Sequence, residues 1–248
     1  MIDSQRRLSP DWLLIALTLA LLGLGLLMIG SATASAAKAD TALLELPIVR
    51  QGINAVVALA ALIAVSLVNY RVWTTWRWFL YGGALAALVL VLVAGRIFFG
   101  ARSWFEVWFF ALQPSELSKI VLIVVLASYF AQHETQVKRG RGVIVSLLLL
   151  LPFLALIYVQ PDLGTAAILG TIWLGMLFVA GARLWHLALL GIAGIVVAPL
   201  AWSSMQPYMR ERILMSLNPE TDPSGKGYNL VQALISIGSG GVWGKGLG

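Results

Sequence analysis

Seven long apolar runs constrain this chain more than any other feature. They cover residues 11–32, 49–68, 78–94, 117–130, 143–159, 163–180 and 184–203. A helix needs roughly 20 mostly apolar residues to cross the hydrocarbon core of a bilayer. Inside lipid every backbone polar group must find its partner within the protein, which leaves helices and closed barrels as the only spanning structures. The expected fold is therefore all-α, a polytopic membrane bundle of about seven transmembrane helices, with short interfacial helices in the outer loop. The composition agrees, at 60% hydrophobic and 11% charged. A soluble domain carries roughly 25% charged residues. Disorder is excluded as well, because it requires low hydrophobicity.

The formal net charge of +6 does not indicate nucleic acid, since the 17 Lys and Arg lie scattered between apolar runs and build no basic stripe. The chain has no Cys and only two His, His133 and His186, far apart in sequence. That removes thiolate chemistry, disulfides and any His-rich metal site. The first run follows Arg6 and Arg7 and precedes small residues at Ser31–Ala36. Its apolar core is longer than that of a usual signal peptide, so it reads as an uncleaved helix, with a signal peptide as the alternative. With the N-terminus in the cytoplasm, inside segments hold eight basic residues and short outside segments five, and the cluster Lys138–Arg141 supplies most of the bias. Of the 11 acids, only Asp3, Asp11 and Glu134 fall inside.

This layout puts the polar and unusual segments on one side, the outside. Residues 1–203 form the membrane region and 204–248 begin a large outer loop. The first outer segment holds Arg102 and Trp104, then Gln113-Pro114-Ser115-Glu116 with Lys119. Pro114 suits a first helical turn, and Glu116 and Lys119 fall at i and i+3 on it. The pair is either a helix-end ion pair or the wall of a polar cavity. Arg102 and Trp104 are either an interface anchor or a phosphate contact with an indole platform. The second segment is Gln160-Pro161-Asp162-Leu163-Gly164-Thr165. Asp162 opens the sixth run, so it is either its N-cap or a functional carboxylate at the membrane edge.

The tail supplies the third segment. Residues 206–217 interleave Met209, Ile213, Leu214 and Leu217 with Arg210, Glu211 and Arg212, the pattern of a helix lying on a membrane surface. Residues 228–237 read as a second short helix with Asn229, Gln232 and Ser236 on one face. The glycine-rich end carries Lys245, but Ser239 and Gly246 break the phosphate-loop spacing. It reads as a flexible loop or an anion nest of backbone N–H groups.

In order and spacing, these motifs resemble the SEDS family, which includes RodA, FtsW and SpoVE. The matching residues are Gly100-Ala101-x-Ser103-Trp104, Gln113-Pro114-Ser115-Glu116 with Lys119, and Gln160-Pro161-Asp162-Leu163-Gly164-Thr165. They continue through Asn218-Pro219, Asp222-Pro223, Gly227-Tyr228, Gln232, Gly238-Ser239-Gly240-Gly241 and Gly244-Lys245-Gly246. The tail looks more like the RodA branch. The resemblance implies peptidoglycan glycosyltransfer: polymerisation of the disaccharide-pentapeptide of lipid II at the outer face of the bacterial cytoplasmic membrane. It also implies a class B penicillin-binding protein as partner. Arg102, Trp104, Gln113, Ser115, Glu116, Lys119, Gln160, Asp162, Thr165, Gln232 and Lys245 are then candidates for the substrate cavity. No cofactor is certain; Glu116, Asp162 and a substrate diphosphate would suit a divalent cation such as Mg²⁺, although no ligand set is complete here. Members of the family have about ten spans, with a His-Thr-Asp-Phe-like motif whose Asp is the proposed catalytic residue. That motif is absent from this chain, so a C-terminally truncated, inactive fragment is expected. The rival readings are a flippase or transporter for lipid-linked precursors and a non-catalytic scaffold for a penicillin-binding protein.

Overall fold

The computed structural model describes residues 11–34, 46–98, 101–107, 110–219, 222, 225, 227–244 and 246. The chain divides into two compact units, one of Met1–Val68 with Ile235–Gly248, the other Asn69–Leu234.

The first unit holds two long helices. Helix α1 (Trp12–Ala34) starts after Asp11, whose Oδ1 accepts the Leu14 amide at 3.1 Å. Helix α2 (Pro47–Leu67) has Pro47 in its first turn, where the missing N–H costs nothing. A Cβ added at Gly30 would lie 2.9 Å from Ile48 Cδ1, so this glycine lets the two helices approach closely.

The second unit carries the core. Asn69 caps the short α3 (Tyr70–Thr75), accepting the Arg71 amide at 3.0 Å. Then follow α4 (Arg77–Ala94), α5 (Pro114–Gln132), α6 (Glu134–Lys138), α7 (Arg141–Val159), α8 (Leu163–Val179), α9 (Leu184–Ser204) and α10 (Pro207–Leu217), while α11 (Tyr228–Gly240) has residues in both units. The core lies among α4, α5, α7 and α8, where Leu88, Leu122, Leu126, Phe153, Ile157, Leu169 and Leu177 are fully enclosed. Two polar contacts lock it. Trp173 Nε1 donates to Ser146 Oγ at 2.9 Å, and the Tyr81 hydroxyl donates to the Leu149 carbonyl at 2.9 Å, one turn before Pro152 interrupts the α7 ladder. The outward faces are apolar too, and α9 buries no residue at all. In water such a surface would aggregate; against lipid tails it costs nothing.

Six of the described helices are long and apolar enough to cross a membrane, and α8 is the shorter seventh, at 17 residues. At 1.5 Å per residue its length is about 26 Å, slightly less than a hydrocarbon core of about 30 Å. Every expected run is a helix. The fourth starts at Pro114, three residues early, because Pro-Ser-Glu is itself a good first turn. In residues 95–119, the first of the polar outer segments, the structure adds strands that the sequence reading did not assign. They form a three-stranded antiparallel sheet, β1 (Arg96–Phe98), β2 (Ala101–Val107) and β3 (Phe110–Leu112), in the order β1-β2-β3. Arg96 pairs with Trp104 and Phe105 with Leu112, and an Arg96–Glu106 salt bridge ties the outer strand to the middle one. Aromatic and apolar residues in short runs around a Gly-Ala step favour strands, which explains the sheet.

Two predictions follow from the end of the bundle that holds α6. Gly140 has φ of 82° between α6 and α7, and a Cβ there would lie 2.9 Å from His186 Nε2. Gly140→Ala should cost about 1–2 kcal/mol for the left-handed backbone alone, read as a lower thermal midpoint in detergent. Gly170→Ala, in a helix with open space around the position, should cost nothing. Glu134 accepts a hydrogen bond from Lys138 at 2.6 Å, and that bond, with the lysine charge, lowers its carboxyl below the usual glutamate range. The pair is therefore intact above the ordinary glutamate pKa and is lost as the pH falls through the lowered one. An NMR titration should show the Glu134 carboxyl returning to its ordinary range in Lys138→Met.

Candidate functional site

Four helix ends and the small sheet converge at the other end of the second unit: the C-termini of α4 and α7, the N-termini of α5 and α8. The chain turns sharply at Gln160-Pro161-Asp162 because the proline cannot continue α7. Asp162 then caps α8. Its Oδ1 accepts the Thr165 amide at 3.1 Å, and its Oδ2 accepts the Thr165 hydroxyl at 2.7 Å. The capping reading is correct, and the carboxylate does more. Oδ2 also accepts Nε2 of Gln113, the residue before α5, at 3.0 Å. One carboxylate thus joins the starts of two spans, 49 residues apart.

The neighbours of that bond are enclosed. Gln160 is fully buried and donates from Nε2 to the Leu88 carbonyl of α4 at 3.2 Å, while its Oε1 has no partner. Ser115 is fully buried, with an unpaired Oγ. Thr165 is 6% exposed. Glu116 and Lys119 form the expected ion pair at 2.8 Å. The lysine side chain is 21% exposed and the glutamate 55%, so the cation is the more inward partner. Arg102, exposed on β2, donates from Nη1 to the Leu92 carbonyl at 3.3 Å, near the last turn of α4. Trp104 is half-buried two residues along the same strand.

Gln232 lies exposed on α11 and does not join the network. Lys245 lies outside the described residues. The glycine run before it is partly helical: Gly238, Ser239 and Gly240 continue α11, and positive φ first appears at Gly241.

The sequence reading missed the role of α10. A cavity of about 310 Å³ lies between the Asp162 turn and α10, lined by Pro161–Gly164, Tyr208, Met209, Arg212, Ile213, Ser216 and Leu217. Met209, 3% exposed, anchors the helix. Arg210 also holds it, donating from Nη2 to the Ser203 carbonyl at the end of α9. Arg212 was legible only as part of a polar helix face; its place in the same cavity as Asp162 depends on the turn after α9.

These features define a multi-pass membrane protein with a polar, partly enclosed site at one end of its helix bundle. The profile of the cell cycle protein family FtsW/RodA/SpoVE matches residues 11–248, and the chain belongs to that family. It is 37% identical to stage V sporulation protein E of Bacillus subtilis, over 99% of this chain and 68% of that protein. It is 35% identical to the probable peptidoglycan glycosyltransferase FtsW of Nitrosococcus halophilus, over 97% of this chain and 62% of the relative. Among solved structures, a peptidoglycan synthase complex that coordinates polymerization and crosslinking matches with a TM-score of 0.75 and 33% identity, over 95% of this chain and 67% of the other. RodA of Thermus thermophilus matches with a TM-score of 0.61 and 29% identity, over 77% and 60%. The likeness extends across all three named branches. The chain spans roughly three fifths to two thirds of the length of these relatives.

Proposed function

We propose that this chain contributes the membrane-embedded site of a peptidoglycan glycosyltransferase, which polymerises a lipid-diphosphate-linked disaccharide such as lipid II at the outer face of the bacterial cytoplasmic membrane. The observation that carries the reading is the Gln113–Asp162–Thr165 network. It fixes a carboxylate at the membrane edge, at the end of the bundle where Glu116, Lys119 and Arg102 also lie. The names of the FtsW relatives support it. In such a reaction a sugar hydroxyl attacks the anomeric carbon, the hydroxyl proton leaves to a base, and the diphosphate departs carrying the charge. Arg102 and Lys119 are the cations suited to receive that charge. Asp162 holds the start of α5 against α8 and so sets where Lys119 stands. Among the described residues no three His, Asp or Glu come together. A Mg²⁺ would therefore take most of its ligands from the diphosphate and water. The solved synthase complex supports a crosslinking penicillin-binding protein as partner.

The charges of the described spans stand near their ends, at Arg50, Arg77, Glu116, Lys119 and Arg141, with none at a span centre. A transporter for a charged headgroup would need polar groups at mid-depth, which favours the enzyme. The test is glycan polymerisation from lipid II in vesicles, by this chain and by this chain extended with any coding sequence that follows residue 248. Polymer formed by the extended chain is expected. Full activity in the Glu116→Ala, Asp162→Ala double variant would overturn the site assignment. Translocation of labelled lipid II without polymer would favour the transporter.

A further inference from the structure

We propose that the cavity between the Asp162 turn and α10 binds the headgroup of a zwitterionic aminophospholipid of the surrounding bilayer, with its ammonium toward Asp162 and its phosphate toward Arg212. The site shares Asp162 with the proposed polymerase site.

The cavity wall carries one acid and one base that share about 310 Å³ and form no salt bridge with each other. The Arg212 guanidinium has a single long hydrogen bond, from Nη1 to the Tyr208 hydroxyl at 3.5 Å. Arginine has five N–H donors, and Arg212 is exposed, so most of them are open to a ligand. Asp162 accepts three hydrogen bonds, from the Thr165 amide, the Thr165 hydroxyl and Gln113. A carboxylate has about four acceptor positions, which leaves one open. A lone phosphate at Arg212 would share the cavity with a carboxylate. A lone amine at Asp162 would share it with a guanidinium. A ligand carrying both charges a few atoms apart relieves both repulsions, because the wall is neutral overall.

The rest of the wall selects a lipid. Leu163, Met209 and Ile213 give it an apolar side suited to a glycerol backbone and the first methylenes. The site adjoins the start of α8 and the helix α10 that follows α9, at the end of two spans, where a bundle meets lipid headgroups. A primary ammonium can donate a hydrogen bond to Asp162, whereas a trimethylammonium has no donor and is larger. That favours phosphatidylethanolamine over phosphatidylcholine. Phosphatidylglycerol offers only the anion.

The experiment is native mass spectrometry of the purified chain in detergent, titrated separately with phosphatidylethanolamine, phosphatidylcholine and phosphatidylglycerol. Phosphatidylethanolamine should bind about ten-fold more tightly than the other two, the scale of one charge-assisted hydrogen bond. Arg212→Gln should weaken all three lipids by about ten-fold, because each presents a phosphate, and because Arg212 is exposed, a thermal melt should show the variant still folded. Asp162→Asn should bring phosphatidylethanolamine and phosphatidylglycerol to parity. Equal binding of these two lipids by the unaltered chain would overturn the proposal, as would unchanged phosphatidylethanolamine affinity in Arg212→Gln. Mole-for-mole displacement of phosphatidylethanolamine by lipid II, with Arg212→Gln weakening both, would also overturn it; the cavity would then be a substrate site and the polymerase reading would stand.

Discussion

Asp162→Ala should be the most damaging single change at the site. It removes the cap of α8 and leaves the Gln113 amide and Thr165 hydroxyl without their acceptor. A lost cap costs about 1 kcal/mol, and a stranded, partly buried donor adds about 1–3 kcal/mol. A total near 3 kcal/mol should appear as a clear fall in the thermal midpoint in detergent. In a polymerising form of the protein the rate should fall by about 100-fold, the scale of losing one preorganised polar group. Asp162→Asn separates the two effects. It keeps an acceptor for the Thr165 amide, so most of the stability should return. If the carboxylate charge positions Lys119, the rate should stay low. A stable, fully active Asp162→Asn would show that shape alone matters there.

Phe153→Ala should be the largest purely structural loss. Phe153 is fully buried in α7, edge-on to Tyr81 with ring centroids 5.1 Å apart. It lies one position beyond Pro152, where the α7 ladder is already interrupted. In lipid there is no hydrophobic drive to hold helices together, so their association depends on packing. Truncation opens a cavity that α4 and α7 cannot close, at about 3–5 kcal/mol. Leu200→Ala on α9 is the control, since Leu200 is 68% exposed and faces no protein. Its effect should stay within about 0.5 kcal/mol. Equal losses for both variants in a detergent unfolding series would show that the core does not lie where α4, α5, α7 and α8 meet.

Much of the site was legible because its chemistry is local. Pro114 stands where an apolar run begins and Pro161 where one ends, the places where proline suits a helix boundary. Asp162 just before an apolar run caps it, and Glu116 with Lys119 at i and i+3 must meet on a helix. The Gln113–Asp162 bond was not legible, because nothing short-range links residues 49 apart. The sheet in residues 95–119 was overlooked for another reason. Its signal is several short apolar and aromatic runs, which a search for long hydrophobic stretches passes over.

The seven apolar runs alone determined that the chain is a helical membrane protein, because a segment that long and that apolar has no other way to satisfy its backbone in lipid. They also determined where each helix lies to within a few residues. Only the tertiary structure decided which spans pack together. Helix faces that are apolar all round carry no inward or outward pattern, and α9 buries none of its residues while α5 buries many. It also decided that Arg212 shares a cavity with Asp162, because that depends on the turn that brings α10 back beside the start of α8.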